Sequence, residues 1–409
     1  MAKIRILIFL LTIVIVSLGG YTASMYARGY RLDTKTLKFM PSGLLVVKSD
    51  PDSAQIFVDG ELKGATNSNY SLPPDTYDIS IKKEGYLSWN KRIVVEKEVV
   101  TEVNANLFKQ APSLSAITFT GITNPISSPD LTKIAYVVPA TSENTQTDKE
   151  GLWIMETVNL PLGFARDPRR ITDGNLKDAT WIFSPDGRQI LLTLPGGRFL
   201  LDAGTFTAQA QRVNIQLTVE EILTQWTKEK DNRFKSMTRG LPGDLIKILS
   251  DNPDQVFFSP DEKKVMYLVN NDYTLPENLI KQIPGASTQA QERELKSGRI
   301  YVYDIKEDRN FAVSEENRQD LKDCNTTTSS LLVSCTATLS WLPTSNHLVL
   351  AQSDKITIMD YDGTNRQDVY SGSYIPPYAF PVLSNDRLLI LTNLGANSTP
   401  TNLYSLSLK

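Results

Sequence analysis

The chain has 409 residues, with 43 Lys+Arg against 46 Asp+Glu and a formal net charge of −3. That balance argues against a nucleic-acid-binding protein, while 41% hydrophobic and 22% charged residues allow most of the chain to bury a core. One histidine, His347, and two cysteines, Cys324 and Cys335, are too few for a typical zinc site and give little scope for a histidine-dependent hydrolase.

Arg5 and Arg28 bracket an uncharged run, Ile6 to Ala27, of 22 residues. As a helix it spans roughly 33 Å, enough for a bilayer core. Residues 1–5, with Lys3 and Arg5, are expected to form a cytoplasmic stub by the positive-inside rule. Arg28 and Arg31 weaken that bias without reversing it. The expectation is a single-pass transmembrane anchor over 6–27, a linker over 28–42, and the bulk of the chain outside the cell membrane. A cleaved signal peptide is the rival reading, but Tyr21 and Met25 sit where small residues should precede cleavage at Ala23 or Ala27. Both readings export the chain.

From Gly43 the pattern becomes that of short strands and tight turns. Ile56 and Val58 share one face, and Asp59-Gly60 follows as a two-residue hairpin signal, because primed turns need positive φ. Tyr77, Ile79 and Ile81 then alternate with polar residues, Gly85-Tyr86 breaks the run, and Trp89 leads into the next strand. The stretches SDPDSAQIFVDGELKGAT and LPPDTYDISIKKEGYLSW resemble a PEGA domain, through Pro51, Ala54, Val58, Asp59, Gly60, Gly64, Pro74, Tyr77, Gly85 and Tyr86. The family's Pro-Gly turn reads Pro74-Asp75 here, and Asp also suits turns. The resemblance implies a small β-sandwich over 43–108, found in prokaryotic surface proteins beside membrane anchors. It implies a spacer or adhesion-like module without catalytic residues.

Beyond Pro112 a unit recurs: an apolar or aromatic residue, a Ser-Pro-Asp turn, then a hydrophobic strand. It reads ISSPDLTKIAYVV with Pro129 and Asp130, WIFSPDGRQILLTL with Pro185, Asp186 and Gly187, and VFFSPDEKKVMYLV with Pro260 and Asp261. Degenerate copies are LSWLPTSNHLVLAQ with Pro343 and FPVLSNDRLLILTN with Asn385 and Asp386. Pro presets φ and Asp caps the turn. With three or four strands per unit, the repeats predict a β-propeller over 113–409, and the turns resemble those of TolB-like and WD40-like propellers. The fold class is therefore all-β, with an N-terminal helix, a PEGA-like β-sandwich and a propeller. Five blades are counted. Leu114 to Thr120 is available as the outer strand of the last one. A sixth, divergent blade is the alternative, with the interval between Pro185 and Pro260 as its place.

That interval itself reads as a helical insertion over about 217–250. Thr218 and Glu221 are spaced as a capping box, Val219, Ile222, Leu223 and Trp226 follow at helical spacing, and a short helix is expected from Asp244 to Leu249. Two readings stand for the first helix. One is a solvated helix packed on the rim. The other is a partner-binding lid, with Trp226, Lys228, Arg233 and Phe234 as its surface. A second insertion, 271–297, is polar and is expected to be partly disordered.

No phosphate loop, dinucleotide fingerprint or metal motif appears. Asp360-Tyr361-Asp362-Gly363 lacks the remaining ligands of a calcium loop and reads as a hairpin turn. His347 enters a strand without an accompanying nucleophile motif. Cys324 and Cys335, outside the cytoplasm, are candidates for a disulfide of structural rather than redox kind. No cofactor, no metal and no catalytic residue is expected. The sequence thus points to an envelope binding or scaffold protein whose propeller head meets a protein or cell-wall/glycan partner. The alternative is an envelope glycan hydrolase or lyase using channel carboxylates, and for that reading no pair of acids stands out.

Overall fold

The structure, a computed structural model, describes residues 2–32, 39–140, 149–158, 167–281, 288–313, 339–384, 386–396 and 399–409. Cys324, Cys335 and Asn385 lie outside them. The chain divides into two compact units, Met1–Phe108 with Gln282–Ala290, and Lys109–Lys281 with Gln291–Lys409.

The first unit begins with α1 (Ala2–Ala27). Its apolar side chains are exposed on every side, with Phe9 65% and Leu18 63% accessible. The helix ends where Gly29 takes φ +91°. The Tyr30 amide then donates to the Met25 carbonyl and the Gly29 amide to that of Tyr26, a Schellman stop that a residue with a Cβ disfavours. A short ribbon follows, β1 (Arg31–Leu32) with β2 (Phe39–Met40). The strands of the sandwich are β3 (Gly43–Asp50), β4 (Gln55–Val58), β5 (Glu61–Ala65), β6 (Ser68–Leu72), β7 (Asp75–Lys82), β8 (Trp89–Val95) and β9 (Val100–Asn106). They form two sheets, β6-β3-β9 and β5-β4-β7-β8. The inward faces interleave Leu45, Val47, Ile56, Val58, Ile79, Ile81, Trp89 and Val103 in one apolar core. The alternation read from the sequence supplies these faces. The parallel pairing of β3 with β9 joins segments more than fifty residues apart, and no local pattern announces it.

The second unit is built from successive antiparallel sheets. The first residues form β10 (Leu114–Ala116). Blade 1 is β11 (Thr123–Ser127), β12 (Lys133–Val138), β13 (Gly151–Glu156) and β14 (Arg169–Thr172). Blade 2 has three strands, β15 (Thr180–Phe183), β16 (Gln189–Leu194) and β17 (Gly197–Asp202). The helices α2 (Val219–Met237) and α3 (Gly243–Ser250) come next. Blade 3 combines β18 (Val256–Phe258) and β19 (Lys264–Leu268) with β22 (Ile300–Asp304) and β23 (Arg309–Ala312). A separate ladder, β20 (Tyr273–Thr274) with β21 (Glu294–Leu295), interrupts it. Blade 4 is β24 (Leu339–Trp341), β25 (His347–Ala351), β26 (Lys355–Asp360) and β27 (Gln367–Ser371). Blade 5 is β28 (Ala379–Pro381), β29 (Arg387–Thr392) and β30 (Asn402–Ser407), and β10 pairs with β30 as its outer strand. The two ends of the unit are thereby joined in one sheet, which is how a β-propeller closes.

The interval between Pro185 and Pro260 is fully described and holds α2 and α3, so the alternative of a sixth sheet there is resolved in favour of helices. Val219 and Trp226 of α2 pack with Leu191 of blade 2, while Leu245 and Leu249 of α3 pack with Val265, Tyr267 and Tyr301 of blade 3. Other neighbours share sheet-on-sheet cores, blades 1 and 2 through Ile154 and Trp181, blades 3 and 4 through Val302 and Leu348. The helix pair thus fills the wedge between blades 2 and 3.

One sequence expectation needs correction. The Thr218–Glu221 capping box does not form: Thr218 has φ −111°, ψ 1° and makes no side-chain cap bond. Its hydroxyl turns back to the Ile215 carbonyl at 3.4 Å instead. The described parts of the second insertion, 271–281 and 288–297, contain β20 and β21. Arg293, 10% exposed, reaches the carboxylate of the fully buried Asp308 at 3.3 Å and the carbonyls of Pro276 and Asp308. That ties the insertion to blade 3.

Candidate partner-binding face

Because strands alternate in direction, the connections alternate between the two faces of the propeller. One face carries the turns between the first and second strands of each blade, 128–132, 184–188, 259–263, 342–346 and 382–386. The Ser-Pro-Asp copies are these turns, and three share one network. Ser128 donates to Asp130 at 2.6 Å, Ser184 to Asp186 at 2.6 Å and Ser259 to Asp261 at 2.7 Å. Each serine oxygen in turn accepts the amide five residues on, from Lys133, Gln189 and Lys264. Asp386 repeats the pattern with Ser384. The Ser184 hydroxyl bond holds Asp186 below its usual carboxylate range. At Asp130 and Asp261 burial pushes the other way, and the bonds from serine and from backbone amides outweigh it. The residue after the Asp takes positive φ in all three: Leu131 59°, Gly187 66°, Glu262 58°.

Neighbouring turns also touch. Lys133 reaches the Gly187 carbonyl at 3.3 Å, and Lys264 reaches Asn346 at 3.1 Å. His347, buried at the start of β25, lies 3.4 Å from the Asp360 carboxylate and 2.9 Å from the Thr344 hydroxyl. The 360–363 turn is closed by the Gly363 amide on the Asp360 carbonyl at 2.9 Å, and Asp362 accepts the Thr364 hydroxyl at 2.6 Å. These side chains brace blade ends. Among the described residues no group of three or more His, Cys, Asp or Glu is placed to hold a metal ion.

The PEGA-like residues have the same character. Asp59 and Gly60 take φ 49° and 81°, a primed turn, and Asp59 accepts the Asp78 amide at 2.8 Å. Tyr77 donates to the Pro73 carbonyl beside Pro74 at 2.9 Å. Gly85, φ 79°, lets the chain turn so that the Tyr86 amide reaches the Lys83 carbonyl at 3.1 Å.

On the opposite face β12, β19 and β25 end and β13, β22 and β26 begin, while the connection 203–255 leaves the end of β17 on the turn side and reaches the start of β18 on the opposite one. Helix α2 lies beside the sheet of blade 2, packed on Ile182, Leu191 and Leu200. Its N-terminal turn holds Glu220 and Glu221 and its last turn Lys235, which complements the helix dipole. Of the four residues singled out, Trp226 is buried against blade 2 and Phe234 packs toward blade 3. Lys228 and Arg233 point outward and are exposed. The structure therefore splits the four into two that hold the helix down and two that face solvent. A groove of about 130 Å³ lies between Trp226, Lys230, Phe234 and Asp254, with Lys230 and Asp254 3.5 Å apart. That is smaller than the roughly 300–1,000 Å³ of small-molecule pockets. Sequence reasoning passed over Val213 and Leu217, 73% and 98% exposed just ahead of α2. An isolated aliphatic residue in a polar stretch carries no periodic signal.

Comparison with solved structures finds similarity to a putative TolB from Agrobacterium tumefaciens, 13% identical over 72% of this chain and 77% of that one, TM-score 0.21. TolB from Acinetobacter baumannii is 13% identical over 82% of this chain and 61% of that one, TM-score 0.19. The β-propeller domain of the Trilobed protease from Pyrococcus furiosus is 10% identical over 90% and 95%, TM-score 0.20. At such scores the propeller assignment rests on the strand pairing itself. No curated protein matches the chain. Residues 42–111 match the PEGA domain model.

Proposed function

We propose that the protein is a membrane-anchored, extracytoplasmic binding or scaffold protein of the prokaryotic envelope. One observation carries this reading: an N-terminal helix, apolar and exposed on every side over Ile4–Ala27, stands directly before a PEGA domain. A helix with no polar face has no place on the surface of a soluble protein and is stable in a bilayer. The basic residues Lys3 and Arg5 keep its start in the cytoplasm, so the head faces outward.

The propeller head supplies the binding surface. Its turn face spends Asp130, Asp186, Asp261 and Asp386 on backbone and serine bonds. Helix α2 and the segment ahead of it present exposed Lys228, Arg233, Val213 and Leu217. Loops on a rigid scaffold are where recognition concentrates. The partner is an envelope protein or a cell-wall glycan. Crosslinking in intact cells, followed by mass spectrometry of what the full chain captures, tests this. The expected result is an envelope component whose capture falls in the Lys228→Glu/Arg233→Glu variant. Recovery of the protein solely from soluble cytoplasm would sink the proposal.

A further inference from the structure

The end of α1 is hydrogen-bonded to the sandwich. Ser42 donates to the Gly29 carbonyl, the Glu98 amide donates to the Ser42 carbonyl at 3.1 Å, and the Tyr30 hydroxyl bonds to Glu98. These bonds hold one end of the sandwich, where β3 and β9 begin, against the helix stop. Phe39 of the β1–β2 ribbon also meets Tyr21 edge to face, with ring centroids 6.4 Å apart. Tyr21 lies six residues inside the helix, about 9 Å below its end at 1.5 Å per residue. The ribbon therefore runs back alongside the helix.

Depth follows from length. The 24 residues Ile4–Ala27 make a helix of roughly 36 Å against a hydrocarbon core of about 30 Å, so its ends stand in the interfacial layers. Tyr21 and Tyr26 then lie near the outer boundary, with the Arg31 guanidinium 4.6 Å from the Tyr26 ring centre, the residue types that favour that layer. At the same end of the sandwich Met40 is 49%, Leu44 38% and Val100 60% exposed, and Leu44 and Val100 are register partners.

We infer that this end of the PEGA domain lies in the interfacial layer of the bilayer, with Phe39, Met40, Leu44 and Val100 in contact with phospholipid. The occupant of the apolar patch is the membrane surface because the patch is continuous with the helix that crosses it. The inference rests on the anchor reading above and adds a docked rather than free-standing domain.

The test places photoreactive p-benzoylphenylalanine singly at Met40, Val100, Ile13 or Glu84 of the full chain in phosphatidylethanolamine/phosphatidylglycerol vesicles. Lipid adducts are read by mass spectrometry. Ile13 reports the span, and Glu84, exposed at the far end of β7, reports bulk water. Met40 and Val100 should form lipid adducts several-fold more than Glu84. Labelling at Ile13 with Met40 and Val100 no higher than Glu84 overturns the docking and leaves the anchor standing. Absence of adducts at Ile13 overturns the anchor, and the docking with it.

Discussion

Replacing Arg293 with alanine removes the cation that faces Asp308. Asp308 has no exposed surface, and its other side-chain partner is the Tyr303 hydroxyl at 2.7 Å. Breaking a buried pair from one side leaves an uncompensated charge and costs about 3–5 kcal/mol, whereas losing an exposed pair costs about 0–1 kcal/mol. Arg92–Asp78, 2.7 Å apart with both side chains about 60% exposed, supplies the control. Hydrogen exchange is the assay, because a chain with two units does not unfold in one step. In the Arg293→Ala variant, protected amides of β20 to β23 should exchange faster by about two to three and a half decades, while Arg92→Ala changes its own sheet by less than about one. Pairing Arg293→Met with Asp308→Asn should recover much of the loss, since no buried charge is then left alone. Equal, small effects of Arg293→Ala and Arg92→Ala would refute the claim that this pair holds the insertion to blade 3.

The propeller turns and α2 give three further tests. Glu262→Gly should stabilise the head by about 0.5–1 kcal/mol and Gly187→Ala should cost about 1 kcal/mol, since both change only a left-handed residue, and a Cβ at Gly187 meets nothing nearer than 3.6 Å; thermal unfolding reads both. Asp130, Asp186 and Asp261 have folded pKa values below their unfolded ones, so their contribution is present above about pH 4 and lost as pH falls through the folded values. The triple Asn variant should flatten the acid arm of stability measured from pH 6 to pH 2. Trp226→Ala should cost about 3–5 kcal/mol in packing and speed exchange throughout α2, whereas Lys228→Glu with Arg233→Glu leaves stability unchanged.

What was legible in the sequence was local. Asp59-Gly60 and the Ser-Pro-Asp turns act over four to six residues, so their hydrogen bonds could be read before the structure. The outer-strand role of Leu114–Ala116 was legible because the last repeat visibly lacked a strand. The helical spacing of Val219, Ile222, Leu223 and Trp226 marked a packed face, which is why Trp226 serves packing while Lys228 faces solvent. What escaped was non-local or conformational. Arg293 and Asp308 look like ordinary surface residues until the chain folds back. The left-handed positions at Leu131 and Glu262 are occupied by residues that do not announce positive φ. Thr218 and Glu221 matched a capping box in spacing, but the tight turn after Ile215 denies Thr218 the extended backbone that a cap requires.

The location of the head can be measured directly by adding protease to intact cells, or to spheroplasts if an outer layer intervenes, and following the full chain. An outward-facing head on an uncleaved α1 predicts that added protease removes propeller fragments while a membrane-bound peptide containing Ile6 to Ala27 survives. A head protected until the cell membrane is lysed would contradict it.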